Sequence, residues 1–148
     1  MIYTKQEKKL IRKFVRITDP RLKVSFEEND WQADPQQKIV FVGNHCSHEF
    51  MKWFRQEFKQ VEDMNWWLIH ILHEIGHCEI YTKKAQCERA KAVANIEIDQ
   101  WFNNIQDQHE ANIRYFNIEN EYGATSWGVN YYLRYKKELD QFINSMQY

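Results

Sequence analysis

Residues 64–81 read MNWWLIHILHEIGHCEIY, and this stretch decides the fold. No proline interrupts it, and Asp63 or Asn65 can cap a helix that begins here. With about 3.6 residues per turn, apolar side chains cover most of the circumference of that helix. A helix of this kind is buried, so an interior cleft is expected on its single polar side, which carries His70, His73, Glu74 and His77.

The polar side contains the run His73-Glu74-Ile75-Gly76-His77. Two histidines four residues apart lie about one helical turn from each other, so both imidazoles can reach one tetrahedral Zn²⁺. Glu74, beside the first histidine, is placed to activate a metal-bound water. Gly76 costs a helix about 1 kcal/mol against alanine, which is understandable if another element must approach closely. The alternative is a core helix whose histidines are merely satisfied by hydrogen bonds.

This run is the pattern HExxH, which resembles the active-site helix of the zincin metallopeptidases. A second run, EYGATSWG at residues 121–128, looks like the ExxA-(D/N)-x-(F/W)-(A/G) helix of many small gluzincins, among them the repressor-cleaving metallopeptidases of phages and mobile elements. The resemblance implies that Glu121 is a zinc ligand and that Ala124 and Gly128 let its helix pack closely. Thr125 stands where the family usually has Asp or Asn, so a partner of a zinc histidine is missing or replaced.

A catalytic zinc needs a third protein ligand, and two other acidic residues compete with Glu121. Glu97 follows His77 at a spacing similar to that of the thermolysin-like gluzincins, but an aspartate of those enzymes is lacking at the matching position. Asp99 resembles the aspartate ligand of some HExxH…D proteins. If the chain turns back tightly near Thr82, both residues lie well past the metal, at about 1.5 Å per residue. Glu121 is therefore the predicted ligand; the alternative is a glutamate that only stabilises a helix N-terminus.

The 148 residues are enough for a core, and residues 1–148 are predicted to form a single domain. A formal net charge of −1 makes general nucleic-acid binding an unfavoured function. No apolar run approaches the roughly 20 residues of a membrane span, and the N-terminus does not resemble a signal peptide. The three cysteines do not suggest a disulfide framework, so a cytoplasmic location is predicted, and the resemblance implies a bacterial or phage-infected cell.

The other elements are predicted from caps and periodicity. A capping box at residues 4–7 begins a helix that ends at Asp19-Pro20. Strands are expected at residues 22–26 and 39–42, separated by a turn or long loop at residues 27–37. Ser47 caps a helix with an apolar stripe that reaches Val61. Further helices are expected from after residue 84 to about residue 104 and from about residue 119 to about residue 145, joined by a short helical or irregular connection at residues 108–117.

The predicted fold is therefore α+β and mostly helical, with a small N-terminal sheet and about five helices, and the resemblance implies a zincin-like domain. The predicted function is zinc-dependent hydrolysis of peptide bonds in a peptide or protein substrate, with Glu74 as the general base. An oxyanion donor is also needed, and the sequence leaves five candidates open: Tyr122, Tyr131, Tyr132, His70 and His109. The strand at residues 39–42 is predicted to line the cleft and to pair with an extended peptide.

Two alternatives differ in kind. One is a non-catalytic, phage-type regulator that keeps zinc and acts by binding another protein, with the basic side of the first helix as its contact surface. A fourth zinc ligand, from His45, Cys46 or Cys78, would favour that regulator, because structural zinc sites normally have four protein ligands. The other is a protein without metal. The cluster of His45, Cys46 and His48 lacks a second pair at finger-like spacing, so it is interpreted as incidental.

Overall fold

The computed structural model describes residues 2–27, 29–81, 84–104 and 108–146, without the side chains of residues 84, 85, 97, 100–104, 108 and 109. The N-terminal part comprises α1 Lys5–Thr18, β1 Lys23–Ser25, β2 Gln32–Asp34, β3 Ile39–Phe41, α2 His48–Glu57 and a short 3₁₀ helix Lys59–Val61. The rest is helical: α3 Trp66–Ile80, α4 Lys84–Asn104, α5 Gln108–Phe116, α6 Glu119–Arg134 and α7 Lys136–Met146. The prediction of a mostly helical α+β fold with a small N-terminal sheet is confirmed.

The predicted caps lie where the first three long helices begin. The Thr4 side chain accepts from the backbone N–H of Glu7 while Glu7 reaches back to Thr4, which completes the capping box of α1. Ser47 caps α2 by accepting from the N–H of Phe50, and Asn65 caps α3 by accepting from the N–H of Trp67. Local side-chain chemistry therefore sets these three starting points.

The sheet contains a strand that the sequence did not indicate. Its order is β1-β3-β2, with β1 parallel and β2 antiparallel to the central β3. The third strand, Gln32–Asp34, lies inside the stretch predicted to be a turn or long loop. The prediction that residues 39–42 offer a free edge to a peptide is wrong, because β3 has neighbours on both sides. Within the described chain, β2 has a strand on one side alone and is the edge next to α3.

Helix α3 is the centre of the core. Trp67, Leu68, Ile71, Leu72 and Ile75 are fully buried, as expected for a helix that is apolar over most of its circumference. The turn between β2 and β3 is fixed to the far end of this helix by Lys38, which adopts a positive φ of 58°. Its Nζ donates to the carbonyl oxygens of Cys78 at 2.7 Å and Tyr81 at 3.3 Å. The sheet is thereby held against the C-terminus of α3.

Helices α3 and α6 cross in close contact, as the small residues predicted. A Cβ at Gly76 would collide with the carbonyl oxygen of Ala124, and one at Gly128 would lie 3.1 Å from the Cβ of Leu72. Any side chain at Gly76 therefore separates the two helices.

The helix predicted from residue 119 to about residue 145 is in fact two, because α6 ends at Arg134 and α7 begins at Lys136. No helix within the described ranges is long and apolar enough to cross a membrane.

Candidate metal centre

Three side chains from two helices converge at the α3–α6 crossing. Nε2 of His73 and Nε2 of His77 lie 3.2 Å apart, and Oε2 of Glu121 lies 2.9 Å from each of them. The three side chains are only 12–13% exposed. Among the described residues this is the one group of three His, Cys, Asp or Glu side chains close enough to share a metal ion. A possible metal-binding triad therefore exists where the sequence predicted the ligands.

Thr125 orients the ring of His73 and selects the tautomer of its neutral form. Its hydroxyl donates to the backbone carbonyl of Glu121 at 3.1 Å, so the oxygen is left to accept from Nδ1–H of His73 at 2.8 Å. In neutral histidine only one ring nitrogen carries a proton, and here that nitrogen is Nδ1. In the neutral ring Nε2 therefore directs a lone pair at the Glu121 carboxylate, and in the protonated ring Nε2 donates a hydrogen bond to it.

The three converging atoms are of the types that bind cations. With Nδ1 protonated, Nε2 of His73 and the carboxylate oxygen 2.9 Å away attract each other through a second ring proton or through a bound metal ion. A tetrahedral Zn²⁺ with bonds of about 2.0–2.1 Å separates its ligand atoms by roughly 3.3 Å. The observed separations of 2.9, 2.9 and 3.2 Å are close to three edges of such a tetrahedron. The donor set of His73, His77 and Glu121 therefore fits a zinc ion.

Burial and mutual charge change the pKa values of Glu121 and His77, and the two values move in opposite directions. Burial acts to raise the pKa of Glu121, but the neighbouring His77 and His73 outweigh it and hold the pKa well below its usual value. Burial acts to lower the pKa of His77, but the charge of Glu121 and its hydrogen bond raise that pKa above the usual value. Glu121 is thus an anion at neutral pH, the form that binds a metal.

Glu74 lies in the same cleft and is not part of the triad. Its side chain is buried, and burial raises the pKa of its carboxyl against the lowering effect of His73 and His77. A carboxyl with a raised pKa accepts and returns a proton more readily near neutral pH than an exposed one. At neutral pH the Glu74 carboxyl is therefore closer to its protonated form than an exposed glutamate.

The structure adds Tyr115, which the sequence did not single out. The Tyr115 hydroxyl donates to Oε1 of Glu121 at 2.8 Å, and burial together with the Glu121 charge raises the pKa of this phenol. The bond occupies one carboxylate oxygen and leaves the other, Oε2, directed at the two histidines. Tyr115 lies in a stretch for which the sequence predicted no more than a short connection, so no motif marked it.

Of the five predicted oxyanion donors, the four with described side chains are hydrogen-bonded to other groups. His70 is already used, because its Nδ1–H donates to the Trp66 carbonyl at 2.7 Å and its Nε2 accepts from the N–H of Ser47 at 3.1 Å. Burial lowers the pKa of His70 to about 4 against the effect of the Trp66 bond, so the ring is neutral. The three tyrosines bond elsewhere: Tyr122 to Glu57, Tyr131 to Thr18 and Tyr132 to Asp140. The side chain of His109 lies outside those described.

The structure places some of the residues that compete with Glu121 as a third ligand or could add a fourth. Asp99 is exposed and does not belong to the triad, whereas the side chain of Glu97 lies outside those described. Cys78 is fully buried, with its Sγ 4.0 Å from the carbonyl of Asp34. His45 and Cys46 do not join a ligand group with the described residues either. No fourth protein ligand is therefore present among the described side chains.

The triad opens into a cleft of about 750 Å³. Strand β2 and its turn form one wall and α4 another, with aromatic side chains from α2 and α5 beside the face of α3 that carries His73 and His77. Among those aromatic rings, Phe50 contacts His73 edge to face at a centroid distance of 5.2 Å and packs on Phe116 at 5.4 Å.

The chain matches no protein-family model, no curated protein sequence and no solved structure.

Proposed function

We propose that the chain is a zinc-dependent metallopeptidase in which His73, His77 and Glu121 hold Zn²⁺. The observation that carries the proposal is the convergence of three atoms that can ligate a metal, on largely buried side chains and within 3.2 Å of one another, with Glu74 beside them in an open cleft. The resemblance to small gluzincins, including those of phages, agrees with this arrangement. The resemblance rests on the HExxH run and the later ExxA run, which lie on two helices that cross at the triad.

A zinc ion held by these three residues would supply Lewis acidity, lowering the pKa of a bound water toward 7 and polarising the scissile carbonyl. The protein residues have separate tasks. Glu74 accepts the proton of the attacking water and returns it to the leaving amine. Tyr115 and Thr125 hold Glu121 and His73 in the orientation that directs Oε2 and Nε2 at one point.

The cleft suits an extended peptide. The free side of β2 can pair its backbone groups with those of a peptide, in place of the 39–42 strand predicted from the sequence. Asn120 also lines the cleft, and its buried Oδ1 has no hydrogen-bond partner within the described part of the chain. A buried amide oxygen without a partner costs free energy, so a peptide N–H bound there would be stabilised. The aromatic wall favours a substrate with apolar side chains near the cleaved bond.

The number of ligands distinguishes this proposal from a zinc-containing regulator that acts by binding alone. Structural zinc sites normally have four protein ligands, whereas catalytic sites have three and keep one position for water. The described residues provide three. This count favours hydrolysis.

The test uses Glu74→Gln, which keeps the shape of the side chain and removes its basicity. Wild type and variant, each loaded with zinc, are incubated with a complex peptide mixture, and new termini are identified by mass spectrometry. Wild type should produce cleavages, and Glu74→Gln should bind the same amount of zinc and cleave at least about a hundredfold more slowly. Glu119→Gln, an exposed position on α6, is the control and should behave as wild type.

Equal cleavage by wild type and Glu74→Gln would refute the catalytic role. If both bind one zinc and neither cleaves any member of the mixture, the binding protein with a structural zinc is favoured instead.

A further inference from the structure

A second concave surface lies between α1, α6 and α7. This α1–α7 groove has a volume of about 420 Å³, and its walls are mainly apolar and aromatic: Leu10, Phe14, Ile17, Tyr131, Tyr135 and Phe142. None of its lining residues belongs to the metal cleft. On α6, Glu121 and Tyr131 are separated by ten residues, or about 15 Å along the helix. The groove is therefore a surface distinct from the proposed active site.

Packed aromatic rings form the bottom of the groove, and an exposed apolar side chain lies at its edge. Phe14 stacks on Phe142 at a ring-centroid distance of 4.6 Å, and Tyr131 packs on Tyr135 at 4.7 Å. Tyr131 also donates to Thr18 at 3.4 Å, which ties α6 to α1. At the rim, Ile17 is 71% exposed. A large aliphatic side chain beside a preformed apolar groove gains from being covered by a partner.

One border of the groove is strongly basic. Helix α1 carries six basic residues and one acidic residue, although the whole chain has a net charge of −1. Lys8 and Arg12 lie over the ring of Phe26, at 5.5 and 5.0 Å from its centroid. On a helix, Lys9, Lys13 and Arg16 project between these two residues and the apolar stripe of Leu10, Phe14 and Ile17. All three side chains are exposed, and Lys13 lines the groove, with Lys9 and Arg16 on the same side of α1.

The opposite border differs in charge. Glu138 of α7 lines the groove there, and the nearby acid Asp140 is paired with Lys136 at 3.0 Å. An occupant that is acidic along one flank, and not along the other, would match both borders. Electrostatic complementarity of this kind fixes the orientation of a bound helix.

We propose that the α1–α7 groove binds an amphipathic helix of a partner protein, with the acidic flank of that helix against Lys9, Lys13 and Arg16. The apolar residues of the partner, at helical spacing, enter the groove beside Ile17 and over the Phe14–Phe142 pair. A second copy of this chain is a poorer occupant, because a symmetric contact places the same basic patch on both sides of the interface. The proposal is independent of zinc and of hydrolysis.

The test uses a fluorescent helical peptide of about 14 residues, with Leu or Phe at spacings of three and four and Glu along one flank. Binding to the full chain is followed by fluorescence anisotropy up to about 100 μM protein. Two matched peptides serve as controls: one has Lys in place of the Glu residues, and one has Ser in place of the apolar residues. The acidic amphipathic peptide should bind at least about tenfold more tightly than either, and more weakly as salt is raised.

Variants of exposed residues locate the contact without disturbing the core. The double variant Lys13→Glu/Arg16→Glu should weaken binding about tenfold, and Ile17→Ser should weaken it by a similar factor. The matched controls are Lys52→Glu/Lys59→Glu, an equal charge reversal on another surface, and Leu133→Ser, an apolar residue of α6 that is 49% exposed. Both should bind as wild type.

Three results would overturn the proposal. One is no binding of the acidic peptide in the tested range, and another is equal loss of affinity in the control and groove variants. The third is tighter binding of a single-stranded oligonucleotide or an anionic lipid vesicle than of the peptide, with dependence on Lys13 and Arg16. That result would assign the basic border to a different class of ligand.

Discussion

Thr125 of α6 and His73 of α3 are joined by a hydrogen bond of 2.8 Å that decides which nitrogen of His73 faces Glu121. The sequence left open whether a partner of the zinc histidine was missing or replaced, because Asp or Asn is usual in the gluzincins that it resembles. The Thr125 hydroxyl is such a partner: it accepts a hydrogen bond from Nδ1–H of His73 and donates one to the backbone carbonyl of Glu121. A neutral hydroxyl can thus set the tautomer in place of a carboxylate or an amide.

The first prediction concerns this bond. Thr125→Val keeps the branched shape and removes the acceptor, so His73 loses the contact that favours the Nε2 lone pair. Zinc affinity, measured by competition with a chelator, should fall about 10- to 100-fold. Thr125→Ser keeps the hydroxyl and should retain affinity within a few-fold. If Val and Ser bind zinc equally well, the hydroxyl has no role in the site.

The second prediction concerns the ligands. Protein purified without a histidine tag should contain close to one zinc per chain by elemental analysis. His73→Ala, His77→Ala and Glu121→Ala should each lower zinc affinity by orders of magnitude, because three ligands cannot be reduced to two without losing the tetrahedral set. Asp99→Ala and Glu97→Ala are the controls and should keep the metal. Loss of zinc in Glu97→Ala with retention in Glu121→Ala would show that the assignment is wrong.

The third prediction concerns the helix crossing. Gly76→Ala gains helix propensity of about 1 kcal/mol but drives a methyl group into the Ala124 carbonyl. The net loss of unfolding free energy should be about 1–3 kcal/mol, measured by urea denaturation. Zinc affinity should fall as well, since α6 carries Glu121. In Gly123→Ala the new methyl meets the flexible end of Ile80 at 3.1 Å, so a smaller loss is expected. Equal stability of Gly76→Ala and wild type would contradict the close packing.

Periodicity and local caps were sufficient to predict much of the fold. The Thr4, Ser47 and Asn65 caps depend on residues within four positions in sequence, which is why they could be identified without tertiary information. The two histidines of the triad were predictable for a related reason, because they are one helical turn apart, whereas Glu121 was predicted from the resemblance of residues 121–128 to the gluzincin helix. Gly76 indicated in addition that another element would approach closely.

Long-range pairing accounts for what the sequence missed. Strand β2 has three residues, only Ala33 of them apolar, so it exists because β3 and α3 are adjacent to it and not because of its own periodicity. The order of the strands, which makes β2 the edge, is likewise set by tertiary contacts. Tyr115 joins Glu121 across the turn between α5 and α6, and a tyrosine in a short helix gives no sign of its partner. The end of α6 at Arg134, with no Pro or Gly there, also had no sequence signal.

The last prediction is a pH dependence of stability that arises at Asp19, where α1 ends. Hydrogen bonds from the Arg21 guanidinium lower the pKa of Asp19 to about 2 from an ordinary value of 3.8, against the opposing effect of burial. The Asp19 carboxylate also accepts the Arg21 backbone N–H at 2.9 Å, and Glu79 of α3 faces the same guanidinium at 3.6 Å.

A carboxyl whose pKa is lower in the folded chain than in the unfolded chain stabilises the fold above the unfolded pKa. That contribution is complete above about pH 4 and is lost as the pH falls toward 2. Asp19→Asn should therefore be less stable than wild type at pH 6 by about 1 kcal/mol, a modest value because Arg21 is 58% exposed and solvent screens the pair. The difference between the two proteins should narrow below about pH 4 and vanish only below the folded pKa of about 2. Chemical denaturation with a chelator present, so that metal release at acid pH does not contribute, measures it. In an Arg21→Met background, Asp19→Asn should change the free energy of unfolding much less. If the stability difference stays the same at pH 2, or in the Arg21→Met background, the Asp19–Arg21 pair is not its origin.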